Sequence, residues 1–171
     1  ITTLLQAALR LQDERDLVFM FVGGGDGKEE VENAITRRKP KNIVSLPYQP
    51  LSRIKYSLSA ADVHAVAVGN GVVGVVHPCK IYGAMAVAKP ILLIGPDPCH
   101  ASDLVEPNGI GWRIAHGDVD SAVQVIKAMC RTDPKKLGAM GQKAKQIVND
   151  RISKKVLLGQ FADIVEQGLT R

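Results

Sequence analysis

Aromatic side chains are scarce, only 4% of 171 residues. A core with so few of them is built from Val, Ile, Leu and Ala, which favours a layered α/β arrangement over a β-sandwich. No apolar run approaches the roughly 20 residues that a bilayer span needs, and no signal-peptide pattern opens the chain. The expectation is a soluble, cytoplasmic chain, with peripheral contact at the inner face of a membrane as the alternative. Cysteine is limited to Cys79, Cys99 and Cys130, an odd and widely spaced set without a C-x-x-C pair, which argues for reduced thiols. His77, Cys79, Cys99 and His100 offer nitrogen and sulfur donors, but their spacing matches no finger or ribbon, so no metal site is expected. The loop Gly23-Gly24-Gly25-Asp26-Gly27 is neither a Walker loop nor a G-x-G-x-x-G turn, which counts against an ATPase or a dehydrogenase. There is no repeat, low-complexity tract or linker, so one domain is expected to cover residues 1–171.

What is present is an ordinary globular composition, 46% hydrophobic and 23% charged, long enough to bury a sizeable core. The net charge of +5 permits anionic partners: phosphorylated ligands, an anionic membrane surface or nucleic acid. Basic residues mostly scatter. The one tight cluster is Arg37, Arg38, Lys39 and Lys41, at a predicted helix C-terminus where positive charge complements the dipole. Contact with a membrane surface is its other use. No aromatic residues interleave with the basic ones, so nucleic-acid binding is not expected.

Apolar periodicity predicts strands alternating with helices. A helix is under way at Ile1; Leu17 to Val22 reads as a buried strand, followed by Gly23-Gly24-Gly25-Asp26-Gly27 and a helix over Lys28 to Arg38. Asn42 to Leu46 is a strand ended by Pro47, and Ser52 is expected to cap a short helix reaching Ala61. Val63 to Val68, Ile91 to Ile94 and Gly111 to Ile114 are further strands. Helices are expected around Ser102 to Val105, over Val119 to Arg131, from Asp133-Pro134 and from Ser153, the last with Val156, Leu157, Phe161, Ile164 and Val165 on one face. Such alternation implies βαβ units and a parallel sheet with helices on both faces.

The chemistry concentrates around His77 to Ile94. Gly69-Asn70-Gly71 leads from the carboxyl end of a strand towards a helix opened by Pro78, and ligands of open α/β sheets bind at that kind of junction. Lys80 sits in the first turn of the predicted helix, where unpaired N–H groups also favour an anion. A phosphate would be well held there; the alternative is a solvated lysine, which is common on helices. Gly23, Gly24 and Gly25 lack a Cβ and so let backbone approach a phosphate, or simply make a tight turn. His77 could hydrogen-bond a ligand or cap the helix. Asp97, Asp103 and Glu106 are loop carboxylates that nothing pairs as acid and base.

The segment Pro78-Cys79-Lys80-Ile81-Tyr82-Gly83-Ala84-Met85-Ala86-Val87-Ala88-Lys89-Pro90 resembles the Pro-Ser-Lys-x-Tyr-Glu-x-Met-Ala-x-Gly-Lys-Pro segment of retaining glycosyltransferases of the GT-B fold, family GT4, the glycosyl transferases group 1. Phe21-Val22-Gly23-Gly24-Gly25, Asn42 to Tyr48, Ser59-Ala60-Ala61-Asp62-Val63 and Gly109-Ile110-Gly111-Trp112 resemble further family segments in the same order. The resemblance implies the C-terminal, Rossmann-like half of a GT-B fold, with a nucleotide-diphosphate sugar as donor substrate, no cofactor and no metal. It implies donor contacts at Gly23, Gly24, Gly25, Pro47, Tyr48, His77, Pro78, Cys79, Lys80 and Gly83, with Pro47 and Tyr48 on the loop that lines the base largely through backbone atoms. Catalytic residues are not readable. Val75 and Gly83 stand where the family has the two glutamates of its E-x7-E pattern. The family's phosphate-binding strand and its N-terminal acceptor domain precede a helix like that of Ile1 to Arg10, so a fragment is expected.

Three functions follow as expectations. The first is the donor half of an enzyme that transfers a sugar to a glycan or lipid-linked acceptor, inactive alone. The second is a degenerate, non-catalytic module that serves as an interaction partner. The third is a related nucleotide-sugar epimerase, which would need carboxylates and a histidine that do not assemble in the sequence.

Overall fold

The computed structural model describes residues 1–25, 27–75 and 78–169. In chain order they form α1 (Thr2–Arg10), β1 (Phe19–Val22), α2 (Lys28–Arg38), β2 (Ile43–Leu46), α3 (Ile54–Ser59), β3 (His64–Ala67), α4 (Lys80–Ala86), β4 (Ile91–Ile94), α5 (His100–Val105), β5 (Gly111–Ile114), α6 (Val119–Cys130), α7 (Pro134–Ile147) and α8 (Lys154–Leu169). The expected α/β alternation is therefore present, and every strand pairing is parallel. The strands fall into two sheets, β1–β2 and β3–β4–β5.

The Ile-Leu-Leu-Ile run of β4 explains the larger sheet. All four residues are buried. Leu92 and Ile94 enter a core shared with α1, β1, β2, β5 and α6. Ile91 and Leu93 point the other way, into a core shared with β3, α4, α5 and α7. A strand covered on both faces has no use for alternation, and its sequence has none. The β1–β2 sheet is different: Phe19 and Ile43 are buried against α1 and α2, whereas Met20, Val22 and Val44 are exposed.

Local chemistry sets the helix ends. Asp118 and Asp133 accept hydrogen bonds from the N–H groups of Ser121 (2.9 Å) and Lys135 (2.7 Å), starting α6 and α7, and Pro134 occupies the first turn of α7. Cys99 and Ser102 form a reciprocal cap on α5. At the end of α4, Ala88 adopts a left-handed φ of 56°, Lys89 N–H donates to Ala84 O and Ala88 N–H to Met85 O. That is a Schellman ending, with alanine where glycine is usual.

Two helix starts differ from expectation. Ser52 lies inside a 3-10 turn, Leu51–Arg53, and caps nothing; α3 begins only at Ile54, because Pro50 fixes the preceding turn. Pro78 lies outside α4, which begins at Lys80 after turns closed by Ile81 N–H to Pro78 O and Tyr82 N–H to Cys79 O. The last helix does start after Ser153, reached through a π-helical segment, Val148–Ile152. Its apolar side faces outward: Phe161 is 66% and Ile164 67% exposed. Among the described residues, no helix is long and apolar enough to cross a membrane.

The N-terminus of α1 ties the two sheets together at one edge. Thr2 Oγ1 donates to Glu30 at the start of α2, and Thr3 Oγ1 accepts from Gly117 N–H beyond β5. Ile1 packs on Gly27, so tightly that a Cβ there would overlap it. Glu30 and Gly27 follow the carboxyl end of β1, and Gly117 follows that of β5. The carboxyl ends of both sheets therefore open on the same side, the side where parallel α/β sheets bind ligands.

Candidate functional site

Along this edge the start of α4 carries the exposed charge. Lys80 is the first residue of the helix and is exposed, and its ammonium has no hydrogen bond or ion pair among the described residues. α4 has only seven residues, so the lysine contributes more than the short helix dipole. Cys79 beside it is exposed, and Pro78 is half-buried. His77 lies outside the described residues.

The glycine loop after β1 is built differently. Gly23 and Gly25 have φ of 102° and 113°, which only glycine adopts without strain. The phenol ring of Tyr48, from the loop after β2, lies over the first two glycines: a Cβ on Gly23 would meet ring carbon Cε1 at 3.2 Å, and one on Gly24 would meet Cε2 at 3.0 Å. A Cβ on Gly25 would meet nothing within 4 Å among the described residues. Three glycines are thus explained as two that seat a tyrosine and one that turns the chain. Gly23 N–H donates to Leu46 O at 3.0 Å, and Lys28 Nζ donates to the same carbonyl at 3.2 Å. Lys28 also bonds Ser45 Oγ and pairs with Glu32 at 3.1 Å. The Ser45 and Lys28 hydrogen bonds hold the Glu32 carboxyl below the usual range. Lys28 is therefore occupied as a clamp between α2 and β2, whereas Lys80 has no such partner among the described residues. Pro47 and Tyr48 are both exposed beyond the clamp.

Between the ends of β3 and β4 lies a cavity of about 270 Å³, lined by Val68, Val73, Pro78, Pro98, His100 and Asp103 among others. Its neighbour Tyr82 hydrogen-bonds His100 Nε2 at 2.7 Å. Burial, and to a lesser extent Cys79, push the Tyr82 hydroxyl above its ordinary value. The carboxylates near this edge are paired with a cation: Arg113 contacts Glu106 at 2.7 Å and Asp97 at 3.7 Å. Asp103 stands apart on the cavity rim. Among the described residues, no group of three or more His, Cys, Asp or Glu side chains could hold a metal ion.

The sequence missed Lys28, Ser45 and Glu32. Their signal was a basic residue opening a helix that otherwise begins with acids. The Tyr82–His100 bond, across 18 positions, left no such signal.

A family model described as "Glycosyl transferases group 1" matches residues 1–147. The chain belongs to that family. A curated member, the probable glycosyltransferase WbjE of Pseudomonas aeruginosa, is 26% identical over 159 residues, covering 93% of this chain but 39% of WbjE. The chain thus spans about two-fifths of that relative's length. Among solved structures, sucrose-phosphate synthase from Thermosynechococcus elongatus aligns with 98% of this chain and 42% of its own, at a TM-score of 0.75 and 15% identity. Anabaena HepE in complex with UDP-glucose aligns with 97% and 44%, at a TM-score of 0.73 and 21% identity. Identities this low speak to fold alone, and the fold they share is GT-B, with these residues matching its C-terminal Rossmann-like half.

In this glycosyltransferase domain the two departures from the family pattern are sterically unforced. Val75 is 80% exposed. A Cβ on Gly83 would meet only Leu58 Cδ1, at 3.4 Å, an ordinary contact. The glycine is not there because the helix needs the space.

Proposed function

We propose that the chain is the donor-binding half of a retaining glycosyltransferase that moves a sugar from a nucleotide-diphosphate sugar to a glycan or lipid-linked acceptor. The observation that carries this is the unpartnered ammonium of Lys80 at the start of α4, on the ligand-binding edge, in a chain of the group 1 family. It would neutralise diphosphate charge as the donor bond breaks, doing electrostatically what a metal does elsewhere. Gly25 and Pro78 would border the phosphates, Tyr48 and Pro47 the base, and no resident metal or cofactor is required. The acceptor and much of the catalytic machinery belong, on this proposal, to a preceding domain, and a strand preceding residue 1 would complete one continuous sheet. The half-open β1–β2 sheet, with Met20, Val22 and Val44 exposed, supports that completion. The basic cluster from Arg37 to Lys41 would let the whole protein rest on an anionic membrane surface at the cytoplasmic face.

Calorimetric titration with UDP, GDP and their sugars tests the assignment. One nucleotide should bind saturably, and Lys80→Ala should weaken it about tenfold or more, the usual worth of a charge-assisted phosphate contact. The second reading, a non-catalytic module, is favoured by Val75 and Gly83 at the glutamate positions. It gains ground if neither this chain nor one extended upstream binds a nucleotide while remaining folded. A Cβ at position 83 would meet only Leu58 Cδ1, at 3.4 Å, and a rise in nucleotide affinity on Gly83→Glu would mark the loss of the glutamate as the step that degraded the site.

A further inference from the structure

Of the five asparagines in the chain, two, Asn70 and Asn108, precede a glycine. That pairing has a chemistry of its own. A backbone nitrogen can attack the side-chain carbonyl carbon of the asparagine before it, and glycine permits the approach because it has no Cβ and reaches conformations that other residues avoid. The attack requires that both the amide side chain and the following N–H be free to move.

At Asn108 both are tied. Its Nδ2 donates to Leu104 O at 2.9 Å, and Gly109 N–H donates to Glu106 O at 3.0 Å. At Asn70 neither is. Asn70 and Gly71 are exposed, and among the described residues neither the Asn70 side chain nor the Gly71 N–H makes a hydrogen bond. They stand in a three-residue 3-10 turn, Asn70–Val72, closed by Val72 N–H to Gly69 O at 3.3 Å. So long a bond in so short a helix opens readily. There is also room to move: a Cβ on Gly71 would meet nothing within 4 Å among the described residues. The remaining asparagines are protected. Asn42 is buried with its Nδ2 on Ala8 O at 2.8 Å, Asn33 lies inside α2, and Asn149 lies inside the π-helical segment.

We propose that Asn70 is a site of spontaneous modification, where the side-chain amide is hydrolysed to a carboxylate through a cyclic imide formed with Gly71. The Gly71 nitrogen bonds to Asn70 Cγ and gives its proton to water; the bond from Cγ to Nδ2 breaks, and Nδ2 takes up a proton and leaves as ammonia. Water then opens the imide at either carbonyl. One opening yields aspartate, the other isoaspartate, in which the chain runs through the side chain. The net reaction consumes one water, releases one ammonia and changes no oxidation state.

The place gives the product its consequence. Asn70 lies on the loop from β3 to α4; Val73 and Gly74 of that loop line the cavity, and Lys80 stands at its far end. A carboxylate on this loop opposes the lysine charge and repels an anion from the edge. That consequence, unlike the reaction itself, rests on the donor-binding proposal.

Incubation of the purified chain at mildly alkaline pH, followed by peptide mass mapping, reads the reaction directly. The peptide containing Asn70 should gain the small mass of an amide-to-acid change and separate into two chromatographic forms, while the Asn108 peptide stays as it was. Gly71→Ala should slow the change several-fold, and Asn70→Gln should stop it. In guanidinium the two asparagines should react at the same rate, because only the fold distinguishes them. An Asn70 amide that persists in the folded chain, or an Asn108 amide lost equally fast there, would overturn the site. For the consequence, Asn70→Asp should weaken UDP binding in calorimetry about two- to fivefold, the usual worth of one exposed charge pair. Equal UDP affinity of Asn70→Asp and the native chain would overturn the effect on binding and leave the modification standing. Failure of the native chain to bind any nucleotide would overturn the donor assignment and that effect together, with the mass map still deciding the site.

Discussion

β1 and β4 are written alike, Phe-Met-Phe-Val and Ile-Leu-Leu-Ile, and they end up in opposite circumstances. β4 has a hydrogen-bonded neighbour on each side and side chains buried on both faces. Among the described residues β1 pairs only with β2, and alternate residues, Met20 and Val22, remain about two-fifths exposed. An apolar run of this kind is the signature of a strand covered on both faces and paired on both edges. Where the same signature meets solvent, it marks a surface that these residues alone leave uncovered, since a long-lived apolar sheet edge invites pairing. The ligand edge shows the same asymmetry: the β3–β4 end carries an apolar cavity and a lysine unpaired among the described residues, while the β1–β2 end carries a lysine already spent on holding a loop.

The difference should be largest in stability. Leu93 is fully buried on β4, so Leu93→Ala should cost about 2–5 kcal/mol, while Met20→Ala on β1 should cost less than about 1 kcal/mol. Urea midpoints at unchanged m-value measure both. Equal costs would break the comparison, because they would mean that β1 is as well covered as β4.

Backbone packing sharpens it next. A Cβ on Gly111 of β5 would overlap the Ile91 carbonyl of β4. Gly111→Ala should therefore cost roughly 1–3 kcal/mol as the strands are forced apart. Gly138→Ala, in α7 with nothing within 4 Å of the new methyl, should instead stabilise by about 0.5–1 kcal/mol through helix propensity alone. Thermal midpoints of the two variants should move in opposite directions.

Much of this was legible in the sequence because the signals are local. The order of strands and helices, the buried character of β4, the Asp133-Pro134 start of α7 and the family of the segment from Pro78 to Pro90 are all carried by residues a few positions apart. What escaped is carried across distance. Gly23 and Gly24 read as a turn or a phosphate loop because the ring that needs them, Tyr48, arrives from the next strand. Lys28 read only as the first residue of a helix because its partners Ser45 and Leu46 lie on β2. Ser52 read as a cap because propensity cannot see that Pro50 has already set the turn as 3-10. The division into two sheets has no local signal at all, since each strand looks the same whether or not a neighbour is present.

A smaller effect concerns the entry to β4. Ala88 holds a left-handed φ of 56° in the position where the family segment has glycine, and its methyl is strained there. Ala88→Gly should relieve that strain and stabilise the domain by about 0.5–1 kcal/mol, less than the full cost of a left-handed alanine because glycine also enlarges the unfolded ensemble. A glycine that destabilised instead would mean that the Ala88 methyl packs under α7, whose Gly141 approaches the Ala88 carbonyl.

The smallest expected effect is on pH dependence at the other edge of β4, where His64 of β3 pairs in register with Ile91. Its Nε2–H donates to Leu58 O at 2.7 Å, which orients the ring. Burial is the larger influence and lowers its pKa from the ordinary 6.5; the Leu58 carbonyl opposes this and the Lys89 charge reinforces it. The folded state therefore prefers the neutral ring, while the unfolded chain protonates normally. The sign follows: the contribution is complete above pH 6.5 and is lost as pH falls from there through the lower folded value. Denaturation midpoints of the native chain should decline over that interval more steeply than those of His64→Gln, which has no proton to take up. Parallel curves for the two would show that the ring is hydrated when folded. In that case the covering of β4 would stop at its partner strand, and β3 would belong with β1 among the strands whose faces are only half closed.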